Sequence, residues 1–119
     1  MELLFESTKV FEKEISKFPN KTKEKIICKL NYYCSLLESD SSTFYGKVYK
    51  PIKFKGCSES SLYALRIDHD IRIILTVDED PIFEQVIITL LHVVRHSSLE
   101  KTFKGIAESL YQKHLNGDN

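Results

Sequence analysis

The chain of 119 residues has no tryptophan, one methionine, three prolines and four glycines. So few breakers exclude a collagen-like, Pro/Gly-rich or low-complexity polypeptide. No linker-like stretch and no internal repeat interrupts it, so one domain over residues 1–119 is expected. The three cysteines, Cys28, Cys34 and Cys57, are odd in number and form no CxxC pair. That pattern suggests neither a disulfide framework nor a zinc site. Cys28 and Cys34 lie six residues apart, neither of the spacings that share a helix face. All three read as reduced thiols of a cytosolic protein.

Long apolar runs are also missing. The longest, around Val86 to Val94, is interrupted by Thr89 and His92 and is too short to span a bilayer. The opening Met-Glu-Leu-Leu-Phe-Glu has no basic n-region, which argues against a signal peptide. A cytoplasmic location with no membrane association is therefore expected. Net charge is absent too: 17 basic residues balance 17 acidic ones. Proteins that bind bare nucleic acid usually carry a positive excess, because phosphate neutralisation supplies most non-specific affinity. Any such role must here rest on local patches.

What is present suits a folded domain. Hydrophobic residues make up 42% of the chain and charged residues 29%, enough for one core without metal or disulfide staples. Glu2 to Glu6 reads as a short strand. Ser7 or Thr8 can cap a helix whose Phe11, Ile15 and Phe18 recur at four and three residues. Pro19-Asn20 ends it, and Asn20 is placed to cap a longer helix reaching about Glu38. Its apolar face reads Ile26, Ile27, Leu30, Tyr33 or Cys34, and Leu37, with Lys21, Lys23, Lys25 and Lys29 elsewhere on the surface. Ser39 to Thr43 reads as a loop, and Phe44 to Gly56 as an irregular segment rich in lysine and aromatics.

The period then changes from helical to alternating. Leu62 to Asp68 places Tyr63, Leu65 and Ile67 on one side and Ala64, Arg66 and Asp68 on the other. After the turn Asp68-His69-Asp70, Ile71, Ile73, Leu75 and Val77 oppose Arg72, Ile74 and Thr76. Asp78 to Pro81 reads as a second turn, before a third, almost wholly apolar strand from Ile82 to about Val93. Ser97 or Ser98 can cap a last helix through Leu99, Phe103, Ile106, Leu110 and Leu115, with Gly117 past its end. The expected fold is α+β: a strand and helix hairpin, then an antiparallel β-meander, then a C-terminal helix. The first strand is expected to pair at an edge of the sheet.

Three groups of residues could carry chemistry. A three-residue loop at Asp68–Asp70 sets Arg66 opposite Arg72. Like charges facing across a strand pair are unfavourable, so the pair either binds an anion or is neutralised by Asp68 and Asp70. Lys47, Lys50, Lys53 and Lys55, interleaved with Tyr45, Tyr49 and Phe54, read either as a solvated loop or as a single-stranded RNA surface. His92, Arg95 and His96 close the last strand. His92 reads as a core histidine, whereas Arg95 and His96 fall where side chains reach solvent. No P-loop, nucleophile elbow or Gly-rich phosphate cradle occurs.

The stretch KFKGCSESSLYALRIDHDIRIILTVDED, beginning at Lys53, resembles the RelE/ParE superfamily of bacterial toxins. Shared are a lysine-bearing turn ending in glycine, the LYxLR strand and the arginine-bearing strand after it. LLHVVRH resembles that family's late histidine-rich strand, and the preceding helix hairpin occupies the same place in the order. The resemblance implies a RelE-like fold and a toxin of a type II toxin–antitoxin system, with a cognate antitoxin as partner. In the RelE branch it implies a metal-independent endoribonuclease that cuts mRNA on the ribosome and needs no cofactor. By position, Arg66 and Arg72 would brace the phosphate, and Arg95 or His96 would supply charge or a proton. Lys47, Lys50, Lys53 and Lys55 would hold the RNA backbone. Ala64 stands where that branch often has another basic residue, and Phe103 is the aromatic nearest its late tyrosine. The alternatives are a ParE-like inhibitor of DNA gyrase that cuts nothing, and a degenerate member kept for partner binding.

Overall fold

The computed structural model describes residues 2–49 and 62–106. Five strands form one sheet in the order β1-β5-β4-β3-β2. They are β1 (Glu2–Ser7), β2 (Val48–Tyr49), β3 (Leu62–Arg66), β4 (Ile71–Asp80) and β5 (Gln85–Arg95). The edge strand β1 pairs parallel to β5, with Glu2 beside Gln85 and Ser7 beside Leu90. The other pairs are antiparallel. Helices α1 (Lys9–Ser16), α2 (Asn20–Ser39) and α3 (Ser41–Lys47) precede the meander. A 3-10 turn, His96–Ser98, follows it and leads into a helix over 99–106.

The helix hairpin forms where the apolar stripes call for it. Thr8 caps α1, its hydroxyl accepting the Phe11 N–H at 3.1 Å and donating to the Leu90 carbonyl at 3.0 Å. One side chain thus starts the helix and ties it to β5. In α2 the residues Ile26, Leu30, Cys34 and Leu37 are buried, while Ile27 is half exposed. The cap of α2 differs from expectation. Pro19 occupies the N-cap with extended backbone and no side-chain cap bond, and Asn20 is the first helical residue. The Pro19 carbonyl accepts the Lys23 N–H at 2.9 Å, so the helix starts without help from the asparagine.

A second difference is α3, in a stretch whose Ser, Thr and Gly content reads as loop. Asp40 starts it: its carboxylate accepts the Thr43 N–H at 3.3 Å and the Ser42 hydroxyl at 2.8 Å, and takes the Thr43 hydroxyl as well. These hydrogen bonds, above all those from the two hydroxyls, hold the Asp40 carboxyl below its ordinary value. Phe44 then drops into the core and is fully buried. A local cap plus one buried ring outweighs the weak helix propensity of the segment.

The main core lies between the hairpin and one face of the sheet. Leu65, Ile67, Ile71, Ile73, Leu75, Val77, Val86, Ile88, Leu90 and Val93 pack with Phe11, Ile26, Leu30, Cys34, Leu37 and Phe44. Leu62, Ala64 and Ile74, on the other face, are buried as well. The sheet is therefore shielded on both sides near its centre, as its near-continuous apolar strands require.

The β4–β5 connection falls later than the sequence suggests. Strand β4 runs on to Asp80, the turn is Pro81 to Glu84, and β5 starts at Gln85 rather than Ile82. Asp80 Oδ1 accepts the N–H groups of Ile82 and Phe83 at 3.1 and 3.3 Å, and Glu84 closes the turn with φ 52°. Val77 consequently faces Ile88, and Arg72 faces Val94. A bulge at Ile74/Leu75 adds one residue on β5. His92 pairs with Ile74 and so stands on the face away from the main core, contrary to its expected inward orientation.

Two outcomes check this packing. Phe44→Ala removes a fully buried ring and should cost about 3–5 kcal/mol in denaturant unfolding. Burial pushes the Cys34 thiol up to about 12, while Cys28 is exposed. Because the thiolate is the nucleophile, native-state alkylation should modify Cys28 and spare Cys34 until the protein unfolds.

Candidate functional site

Among the described residues, the candidate arginines and His96 lie around the β3–β4 turn. Asp68 Oδ1 accepts the N–H groups of Asp70 and Ile71 at 2.8 and 2.7 Å, closing the turn. Its other oxygen meets Lys25 Nζ of α2 at 2.9 Å. Lys29, one helical turn on, donates to the Ile67 carbonyl at 2.6 Å. The helix thus grips the hairpin through two lysines that the sequence places only as surface residues. Burial alone would raise the Asp68 carboxyl. The Lys25 hydrogen bond, the two backbone N–H groups and the Lys25 charge outweigh it and hold the group well below the ordinary range.

Closing the turn at Asp68 sets the register. Ile67 N–H donates to the Ile71 carbonyl at 3.0 Å, and Arg66 lies directly opposite Arg72. The two arginines stand side by side, as the alternation of the sequence leads one to expect. Their environments differ. Arg72 is half-buried, and its Nη1 donates to the carbonyls of Asp68 and, at 3.2 Å, Ile71. Those bonds use Nη1 of a guanidinium that carries five N–H groups. Arg66 is exposed and makes no hydrogen bond or ion pair among the described residues.

Lys47 is the residue just before β2. Since Val48 pairs with Leu65, the same register brings the Lys47 backbone beside Arg66. Across the sheet, Arg72 pairs with Val94. Alternation carried through the extended Arg95 places the exposed His96 on the Val94 side. Lys47, Arg66 and Arg72 therefore mark a cationic band across one end of the sheet, with His96 at its β5 end. Lys50, Lys53 and Lys55, with Phe54 and Cys57, lie outside the described residues, as do Leu110, Leu115 and Gly117.

Arg95 does not join this band. It pairs with Ile71 and so belongs to the opposite face, where its guanidinium pairs with the Asp70 carboxylate and sits 5.6 Å from the Phe18 ring centroid. The His96 N–H donates to the Asp70 carbonyl. Asp70 thus ties the end of β5 to the turn, as Asp68 ties α2 to it. The Asp68 and Asp70 carboxylates do not neutralise the arginine pair: they take Lys25 and Arg95, and Arg72 is held by the carbonyls of Asp68 and Ile71.

Beside Arg95 lies an open cleft of about 290 Å³, lined by Lys17, Phe18, Pro19, Val93, Val94 and Arg95 among others. Its wall includes an interaction that periodicity could not reveal. Glu14 of α1 accepts the Val93 N–H at 3.2 Å and meets His92 Nδ1 at 3.1 Å. Past Ser7, β1 no longer pairs with β5, and Glu14 satisfies a strand edge that is otherwise open. Among the described residues no three His, Cys, Asp or Glu side chains gather as a metal-binding set.

The turn yields a pH prediction. Ionised Asp68 stabilises the fold, so its contribution is complete above the ordinary aspartate value of about 4 and is lost as pH falls toward the lowered folded value. Asp68→Ala should cost about 1–2 kcal/mol at neutral pH through the lost turn bonds and ion pair. Thermal unfolding of the variant should also depend less steeply on pH below about 4 than that of the parent chain.

No family model matches the sequence, and no curated protein matches it. Solved structures do. YafQ from E. coli strain BL21(DE3) aligns with a TM-score of 0.51 at 14% identity, over 80% of this chain and 94% of YafQ. The YoeB dimer from Staphylococcus aureus aligns with a TM-score of 0.50 at 16% identity, over 81% of this chain and 99% of that one. At such identities the likeness is one of backbone architecture. The strand, the helix hairpin, the meander and, over residues 99–106, a helix after it are in place among the described residues, and this chain has the RelE-like α+β fold.

Proposed function

We propose that this chain is the toxin of a type II toxin–antitoxin system, acting as a metal-independent, ribosome-dependent mRNA endoribonuclease held in check by a cognate antitoxin. The observation that carries this reading is the pair Arg66 and Arg72, two cations facing each other at 4–6 Å-scale strand spacing, roughly that of any antiparallel pair. Such a pair is unfavourable without an anion between or beside it. A phosphodiester is the anion that the RelE resemblance supplies.

In the cleavage, the ribose 2′-OH gives up its proton and attacks the adjacent phosphorus. The bond to the 5′-oxygen breaks, leaving a 2′,3′-cyclic phosphate, and that oxygen takes up a proton. Charge accumulates on the non-bridging oxygens in between, so fixed cations lower the barrier. Arg72 suits this task because the turn carbonyls already hold its guanidinium, so little reorganises as charge develops. Arg66, unpaired and exposed, closes on the phosphate from the neighbouring strand. His96 is the imidazole beside the arginines and the group placed to pass a proton to the leaving oxygen or take one from the 2′-OH. Lys47, with Lys50, Lys53 and Lys55, holds the RNA backbone, and Arg95 serves by fixing the turn through Asp70.

One observation favours a second reading. Arg72 and Arg95 are both engaged by the turn, which supports a non-enzymatic member that inhibits DNA gyrase or only binds a partner. The two readings separate in a purified translation system with mRNA ends read by primer extension. Ribonuclease action gives translation arrest with new ends inside codons. Arg66→Ala should then lower the cleavage rate by roughly 10²–10³-fold, the usual effect of removing a transition-state donor. Intact mRNA with undiminished translation would discard cleavage, and a supercoiling assay would then decide between gyrase inhibition and binding alone.

A further inference from the structure

The cationic band is braced by a helix that contributes no residue to it. Ile26 and Leu30 of α2 are buried in the core with Ile71 and Ile73, which fixes the rotation of the helix about its axis. Lys25 and Lys29 each precede one of them, so they leave the helix on one flank, about one turn apart. Like charges four residues apart weaken a helix. Both lysines are instead spent on one residue of the β3–β4 turn. Lys25 Nζ donates to Asp68 Oδ2 at 2.9 Å, and Lys29 Nζ donates at 2.6 Å to the Ile67 carbonyl, which belongs to the peptide joining Ile67 to Asp68. Oδ1 of Asp68 holds the Asp70 and Ile71 N–H groups. The side chain of residue 68 and the peptide before it are therefore both pinned.

The carbonyl of that same residue is where Arg72 rests. Its Nη1 donates to the Asp68 carbonyl and, at 3.2 Å, to the Ile71 carbonyl, and these are its hydrogen bonds among the described residues. The Ile71 carbonyl also accepts the Ile67 N–H at 3.0 Å, so the peptide that Lys29 holds lies beside it. A long arginine side chain has much rotamer freedom, and its planar fork settles where acceptors are fixed. Here the acceptors are fixed from α2.

We infer that Lys25 and Lys29 are positioning residues for the Arg72 guanidinium, acting through Asp68 and Ile67 on the carbonyls that hold it. Neither lysine touches the reacting atoms. The placement of Arg72 does not depend on what Arg72 binds, whereas the effect on cleavage rests on the ribonuclease reading. A group displaced by about 1 Å from developing charge costs up to about 10²-fold in rate, while the rest of the band still binds the RNA.

Nitrogen-15 NMR of the full chain tests the placement without reference to activity. Rotation about the Cζ–N bonds of a held guanidinium is slow, so Arg72 should show separate Nη signals, identified by their loss in Arg72→Lys. Lys25→Met and Lys29→Met should each merge them, and Lys25→Arg should keep them apart. Lys21→Met removes a charge from the same helix at an exposed position outside every ion pair among the described residues, and should leave them apart. In the purified translation system, Lys25→Met should lower kcat for mRNA cleavage roughly 10–100-fold and change KM less than about twofold. Asp68→Asn should do the same, and the double variant should be no worse than either alone, because both remove one linkage. A lysine that touched RNA itself would raise KM, and its loss would multiply with that of Asp68; that result would overturn the inference for Lys25. Separate Arg72 signals in both methionine variants would overturn it altogether. A parent chain that leaves mRNA intact would discard the ribonuclease reading alone, and the Arg72 signals would still decide the placement.

Discussion

The Asp68 carboxylate binds two backbone N–H groups with one oxygen and the Lys25 ammonium with the other. Much of the molecule's arrangement hangs on those three bonds. They close the β3–β4 turn at a length that puts Arg66 against Arg72. They fix the turn carbonyls on which Arg72 rests, and they attach α2 to the sheet at the end where the cations collect. A turn one residue longer would reverse the face of every side chain on one strand. The arginine pair would then be split between solvent and core.

The same turn explains how an unfavourable arrangement persists. Facing arginines repel, but Arg72 is fastened by carbonyl dipoles, and the nearby acids engage Lys25 and Arg95. The cost is thus spread over a network whose bonds also join α2, β3, β4 and β5. At the far end of the sheet the acids behave differently. Asp80 is used locally as a turn cap, while Glu84 and Glu2 face solvent. Neutrality of composition therefore says little about this surface, because the charges sort by position along the strands.

Much of the fold was legible in the residues. The three-and-four spacing of Phe11 and Ile15, and of Ile26, Leu30 and Leu37, marks buried helix faces. The alternation from Leu62 through Val77 marks two strands, and the short Asp-His-Asp turn marks their pairing. These features are local: a side chain's direction follows from its place in a regular element. Helix α3 was not legible, because its Phe44 is held by a tertiary pocket and its flanking Ser, Thr and Gly residues signal loop. The start of β5 falls later than expected because Ile82 and Phe83 resemble strand residues although they form a turn, and Glu84-Gln85, which separate them from the run at Val86, do not by themselves mark a strand boundary.

The candidate site divides along the same line. The sequence by itself determined that Arg66 and Arg72 face each other across a three-residue loop Asp68–Asp70. Only the tertiary structure decided that Arg95 turns to the opposite face to meet Phe18 and Asp70 while His96 stays near the arginine pair. It also decided that Lys25, Lys29 and Glu14 reach across to strands more than thirty residues away in the chain. The reason is physical. Alternation within a hairpin is set by neighbouring peptide units, whereas the bulge in β4–β5 and the reach of helix side chains depend on how separate elements pack.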